Sequence, residues 1–339
     1  MFFVDGHCDT ITTTMKKGEN LFENSCHIDL KRLSEFDSPV QVFSVWLEKN
    51  QLGKAYQNCM EAINFFRSEV EKNKRLIGIV DKYSDIEKNI FDKKISGIIG
   101  VEGCEVFEGK IENVYKFIDA GAKIFTLTWN YENELGFGAV TGSENGLKPF
   151  GKEVVKILNA ENKIIDVSHL NEAGFWDICK ISDKPFIASH SNSKAICNNV
   201  RNLSDEQIKE ISQRKGIIGI NLYPPFLTTN FNADLDIIVK HIEHIMKIGG
   251  EDILGLGCDF DGIDKSPKEI TQVSDVKKIY DRLVYCFGES NTLKIMGKNF
   301  LCFFQQNFSW YNLIISNMTI IKNKCDLKYF FLANNRKMV

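Results

Sequence analysis

Eight short apolar runs, each closing on a polar or glycine cluster, punctuate the chain. They lie at Phe2–Asp5, Val40–Leu47, Ser96–Val101, Lys123–Thr128, Lys163–Val167, Pro185–Ala188, Gly216–Leu222 and Asp252–Gly257. Their starts are about 36 residues apart, room for a strand, a helix and two loops in each step. The runs are β-branched and continuously apolar, as in Gly216-Ile217-Ile218-Gly219-Ile220, which suits parallel strands buried on both faces. Eight such units predict an α/β fold, a closed parallel (β/α)8 barrel, with an open doubly wound sheet as the competing arrangement. Between the runs lie amphipathic segments. Leu52–Lys74 has apolar residues at 55, 56, 59, 62, 63, 66 and 70, close to a helical period. Another helix is expected to begin at Ser204, with Gln207 completing a capping box.

Composition narrows the function classes. Of 339 residues, 45 are acidic and 42 basic, a net charge of −3. That balance, without a Lys/Arg cluster, gives no electrostatic reason to expect nucleic acid or an anionic membrane as partner. The ten cysteines contain no C-x-x-C pair and no zinc-finger or disulfide rhythm, so they read as reduced and mostly buried. Met1-Phe2-Phe3-Val4 runs at once into Asp5-Gly6-His7-Cys8-Asp9, which leaves no secretory leader. No stretch approaches the roughly 18–20 apolar residues of a membrane span. A cytoplasmic protein is expected. From about residue 307 the pattern changes to an aromatic, Asn- and Lys-rich tail. The chain is therefore divided into a barrel domain, 1–306, and a carboxy-terminal extension, 307–339, whose role is not legible.

The chemistry sits at the strand ends. The first run closes on His7-Cys8-Asp9, the third on Glu102-Gly103 and the fourth on Trp129-Asn130. The fifth closes on Asp166-Val167-Ser168-His169, the sixth on Ser189-His190-Ser191, the seventh on Tyr223 and the eighth on Asp259-Phe260-Asp261. In a barrel these all open into one mouth, where active sites are built. His7 and Asp9 are two apart, so on an extended strand end both face one way and can grip a cation. With Glu102, His169 and His190 they supply five ligands from four strand ends. Two metals about 3.5 Å apart could share Glu102, and such a buried cluster would be costly without a cation. Imidazole and carboxylate ligands suit Zn²⁺, with Mn²⁺ or Fe²⁺ also admitted.

Other patterns fail. Asp259-Phe260-Asp261-Gly262 starts like a calcium loop, but its glycine comes at position four instead of six. Gly97-x-x-Gly100-x-x-Gly103 lacks the G-x-G start of a dinucleotide turn and reads as close backbone packing beside Glu102. There is no Walker loop, G-x-S-x-G or H-E-x-x-H. His241 and His244, three apart on an expected helix, read as packing or surface residues, and His27 has no supporting neighbours.

The ordered motifs Val4-Asp5-Gly6-His7-Cys8-Asp9-Thr10, Gly100-Val101-Glu102-Gly103, Leu127-Thr128-Trp129-Asn130, Asp166-Val167-Ser168-His169, Ser189-His190-Ser191, Arg201-Asn202 and Gly257-Cys258-Asp259-Phe260-Asp261-Gly262 resemble the zinc-dependent membrane (renal-type) dipeptidases and their soluble bacterial relatives. The likeness runs from about residue 2 to Phe304. It implies a (β/α)8 TIM barrel with two zinc ions per chain, hydrolysing dipeptides that include ones with a D-residue at the carboxy terminus. By the resemblance, His7 and Asp9 hold one zinc, His169 and His190 the other, and Glu102 bridges. Arg201 clamps the substrate carboxylate, Asp259 handles the proton, and Tyr223 contacts substrate. Trp129 stands where animal members have a histidine that polarises the scissile carbonyl, which leaves that task to the metal and to Asn130.

Two rival readings stand beside a dipeptidase. One is another two-metal barrel hydrolase, acting on cyclic amides, lactones or phosphoesters. Those relatives usually begin with H-x-H and use a carbamylated lysine, which this chain lacks. The other is a non-catalytic paralogue that keeps the fold. Barrels of this size often pair as homodimers, but no interface is legible in the sequence.

Overall fold

The computed structural model describes residues 1–308. The predicted extension from residue 307 therefore lies outside the described residues beyond Phe308. Nine parallel strands are present: β1 (Val4–Asp5), β2 (Val40–Trp46), β3 (Ile77–Ile79), β4 (Ile95–Glu102), β5 (Ala122–Thr126), β6 (Ile164–Asp166), β7 (Ile187–Ala188), β8 (Ile217–Ile220) and β9 (Leu254–Leu256). All except β3 coincide with the eight predicted runs. Pairing passes from β2 through β1, β9, β8, β7, β6 and β5 to β4, and β2 pairs with β4 from Val40↔Ser96 to Trp46↔Glu102. That last pairing closes an eight-stave barrel, and the open sheet is excluded.

The unpredicted strand has a local cause. β3 pairs only with Ile95–Gly97 of β4, below the point where β5 takes over at Ile99. Three residues of Ile-Gly-Ile are too short to stand out as a periodic run. The predicted helix at 52–74 is observed as Ala55–Lys72, preceded by a 3-10 segment Lys49–Lys54. Gly53 sits in that segment, and glycine disfavours the start of an α-helix there. The Ser204 helix forms as expected over Asp205–Gln213 with its capping box intact.

Strand alternation divides the barrel lumen into layers. On β4, Ile98, Gly100 and Glu102 share one face; on β2, Val42, Ser44 and Trp46 do the same. The lower layer is apolar. Val4, Val42, Ile98, Ile124, Ile164, Ile187 and Ile217 pack together with Phe300 and Phe304 of the helix Asn299–Phe308, which plugs the floor. Burying a chain of isoleucines in this way contributes about 1.5–3 kcal/mol per side chain, enough to hold the staves while the upper layer is given over to polar groups. Among the described residues no helix is long and apolar enough to cross a membrane.

Candidate metal centre and substrate cleft

The upper layer collects the predicted ligands at one end of the barrel. His7, Asp9, Glu102, His169 and His190 are all buried. Glu102 stands between two groups: its Oε2 is 3.4 Å from His7 Nε2, while its Oε1 is 2.9 Å from His169 Nε2 and 3.5 Å from His190 Nε2. His7 Nε2 also faces Asp9 Oδ2 at 3.7 Å and Asp259 Oδ1 at 4.0 Å. Asp9 occupies the position before the helix Thr10–Lys17, yet its carboxylate does not cap that helix; it turns toward His7.

Hydrogen bonds fix the ring tautomers. Ser189 Oγ donates to Asp166 Oδ2 at 2.6 Å, so it accepts from His190 Nδ1 at 2.7 Å. His169 Nδ1 donates to Asn130 Oδ1 at 2.9 Å. Both Nε2 atoms are thereby left as lone pairs, and they lie 2.9 Å apart. Burial, then the positive charge of Arg201 and the neighbouring histidines, holds both imidazoles well below their ordinary pKa, so neither carries a second proton. Two lone pairs and a carboxylate oxygen at this separation repel one another unless a cation lies against all three. Consistently, Glu102 Oε1, His7 Nε2 and Asp9 Oδ1 are buried without a hydrogen-bond partner. The residues present fit a metal site.

The carboxylates report the same field. Burial pushes Glu102 up to about 8, with the charge of Asp9 adding to it. Asp259 is raised to about 7, again chiefly by burial, against the lowering effect of His7. For His7 itself, burial lowers the pKa but the facing Glu102 and Asp9 carboxylates outweigh it, leaving it well above the usual value. Such a crowd of acids and imidazoles ionises together only around added positive charge. Asp166 also lies close to His7 and His190, but its oxygens already accept from Thr126, Ser168 and Ser189. Through Ser189 it holds the His190 ring.

Local backbone shape supports this convergence. His169 and Asp259 both adopt left-handed conformations, φ 67° and 60°, strain that is retained where it aims a side chain. A side chain on Gly262 would come within 2.1 Å of Asp9 Oδ2 and 2.4 Å of Asp259 Oδ1, so only glycine lets this turn approach both carboxylates. Gly100 similarly makes room for Ser44 Oγ, which meets His7 Nδ1 at 3.2 Å. Asp261 accepts from Thr10 Oγ1 and the His27 backbone and so ties two loops together.

Around the centre, Arg201 is buried, with Nε and Nη2 unpartnered and its guanidinium 5.3 Å over the Phe226 ring. Burial lowers its pKa to about 10, opposed by Asp259 and Glu102. Nothing in the sequence pattern alone marks this arginine as interior. Asp259 Oδ2 accepts from Asn221 Nδ2 at 2.9 Å. Tyr223 packs edge-on to Phe226 at 4.9 Å. Trp129 stands 6.0 Å from the His169 ring and 5.0 Å from Trp46. Asn130 Oδ1 is taken by His169.

Sequence reasoning passed over Asn221, Ser44 and Trp46. The last two could have been found from β2, where a serine and a tryptophan interrupt an apolar face at alternate positions. The remaining histidines are structural: His241 Nδ1 accepts from the Ser193 amide and its Nε2 donates to Leu227 O, and His244 meets Asp205 at 2.7 Å.

Comparisons with known proteins agree with this geometry. Residues 1–309 match the model of the membrane dipeptidase family, Peptidase family M19. An uncharacterized protein encoded in the pqqA 5′ region of Klebsiella pneumoniae is 35% identical over 210 residues, 59% of this chain and 77% of that protein. An uncharacterized dipeptidase of Schizosaccharomyces pombe is 27% identical over 303 residues, 83% of this chain and 74% of that one. Among solved structures, the metallopeptidase dipeptidase AC superposes with a TM-score of 0.85 at 23% identity, covering 91% of this chain and 99% of its own. A metallopeptidase from Rhodobacter sphaeroides, liganded with a phosphinate mimic of the dipeptide L-Ala-D-Ala, superposes with a TM-score of 0.80 at 22% identity, covering 91% and 99%. With a family match over the whole described chain and a barrel mouth built for cations, the protein belongs to the membrane dipeptidase family, Peptidase family M19, and is a metallopeptidase of the dipeptidase type.

Proposed function

We propose that this chain hydrolyses L-L and L-D dipeptides with two divalent cations, zinc in the first instance. His7, Asp9 and Glu102 would hold one, and His169, His190 and Glu102 the other. The observation that carries the reading is the facing pair of imidazole lone pairs with the Glu102 carboxylate between them and His7. When bound, such cations polarise the scissile carbonyl and make water a nucleophile near neutral pH.

The chain's own residues do the rest. Arg201 offers an unpartnered fork of donors in a buried setting, which suits the substrate's terminal carboxylate. Binding it there positions the peptide bond over the centre before any chemistry begins. Asp259, steadied by Asn221, takes a proton from the attacking water and returns it to the leaving amine. Trp129 and Tyr223 wall the cleft. Asn130 fixes the His169 tautomer through Oδ1, and its amide Nδ2 is the donor it can turn to substrate. Since indole cannot become cationic, Trp129 offers at most one neutral N–H donor toward a developing oxyanion, and the bound cations would supply the positive charge there.

The test is hydrolysis of L-L, L-D and N-acetylated dipeptides by metal-loaded and chelated protein. Cleavage of free dipeptides only, and only with metal, is the expected result. Turnover of blocked substrates, or of none while metal is bound, would overturn the substrate assignment.

A further inference from the structure

The face of the cleft away from Arg201 is aromatic. Trp46 closes β2 and pairs directly with Glu102 of β4, so its side chain projects the same way as the central carboxylate. Two residues earlier on that face, Ser44 touches His7. Trp46 therefore stands level with Glu102 and two residues above Ser44, at the end of β2. Its ring lies 5.0 Å from Trp129, which in turn lies 5.1 Å from Tyr131. Unlike the phenylalanines of the barrel core, Trp46 remains partly exposed. Its Nε1 is buried without an acceptor, so ring packing alone holds the indole.

Position around the barrel supplies the direction. Arg201 lies in the segment between β7 and β8 and stacks on Phe226, which follows β8; around the closed ring β7 lies four staves from β2 and β8 three. A dipeptide anchored by its carboxylate at Arg201 and crossing the centre would bring its amino-terminal residue toward the β2 side. We infer that Trp46, with Trp129, receives the side chain of that first residue, so that the enzyme favours dipeptides beginning with an aromatic or large apolar residue. This rests on the dipeptidase reading above. Flat indole faces suit such side chains through offset and edge-on packing, and an apolar pocket discriminates by the area it can cover.

The experiment compares kcat/KM for Phe-Ala, Gly-Ala, Ala-Phe and Ala-Gly in wild type, Trp46→Ala and Trp46→Phe. Metal content and Tm are checked for each protein. The wild type should prefer Phe-Ala to Gly-Ala, and Trp46→Ala should lower that ratio by about tenfold. Trp46→Phe should restore most of it, and the Ala-Phe to Ala-Gly ratio should stay where it was. If Trp46→Ala does not fold, Trp46→Phe carries the test with a smaller drop in the same ratio. An unchanged Phe-Ala preference, or a change confined to Ala-Phe, would overturn the assignment. Calorimetric affinity for phosphinate dipeptide analogues with Phe or Ala first gives a second readout independent of turnover. If no dipeptide is cleaved, the hydrolytic reading fails; a Phe advantage in analogue binding that Trp46→Ala abolishes would still support the wall, and its absence would overturn it.

Discussion

His169 and His190 present their Nε2 lone pairs to each other at 2.9 Å, because Asn130 and Ser189 have taken the proton-bearing nitrogen of each ring. The arrangement is paid for by folding and repaid by a cation. Chelation should therefore lower stability markedly. Saturation at a thousandfold over Kd is worth about 4 kcal/mol, and zinc should restore the lost Tm. A Tm indifferent to chelator and zinc, measured by scanning fluorimetry, would contradict the metal-centre reading.

Asn130 offers a way to touch the centre without removing a ligand. In Asn130→Ala, His169 loses the acceptor that fixes its tautomer. Metal affinity at that side should fall roughly 10- to 100-fold, with the fold intact by circular dichroism. Competition with a calibrated chelator reads the change. Wild-type affinity in the variant would mean that ring packing by Trp129 alone orients His169.

Arg201 predicts a split in the kinetics. Arg201→Ala should raise KM for free dipeptides by about 30-fold or more, since a charged hydrogen-bonded contact of this kind is worth about 2–5 kcal/mol. Arg201→Lys should recover little, because an ammonium cannot reproduce the fork. Carboxy-terminally amidated dipeptides, poor substrates for the wild type, should be nearly insensitive to the change. Equal losses on free and amidated substrates would remove the clamp.

Asp259→Asn should keep metal and lose turnover. Proton handling by a positioned carboxyl contributes typically 10²–10⁴-fold, and the loss should appear in kcat. Removing its partner in Asn221→Ala should give a smaller loss. Metal stoichiometry and steady-state kinetics together decide: a drop in bound metal that parallels activity would make Asp259 a ligand instead.

Away from the centre, His241 makes stability depend on pH. Burial holds it at about 4, below the ordinary 6.5. The unfolded chain therefore binds this proton between pH 6.5 and 4 while the folded one does not, so stability present above pH 6.5 is lost as pH falls toward 4. The contribution is at most roughly 3 kcal/mol. His241→Gln keeps a donor for Leu227 O and an acceptor for the Ser193 amide but cannot titrate. Urea melts across that range should show a flatter acid limb in the variant, and identical slopes would dismiss the account.

Much of this was legible in one dimension. Buried parallel strands must be continuously apolar, so eight staves announced themselves, and strand ends in a barrel share one mouth, so His7, Asp9, Glu102, His169 and His190 could be grouped before any coordinates. Capping chemistry is equally local, and the Ser204–Gln207 box formed as read. Three contacts needed the fold. Asn130 reaches His169 across 39 residues, Asn221 reaches Asp259 across 38, and Trp46 meets Trp129 only because β2 closes onto β4. Burial of Arg201 belongs with them. Periodicity and spacing report what a residue does to its own strand or helix; tautomers, unpartnered donors and facing lone pairs arise between elements, where only the closed barrel sets distance and dielectric.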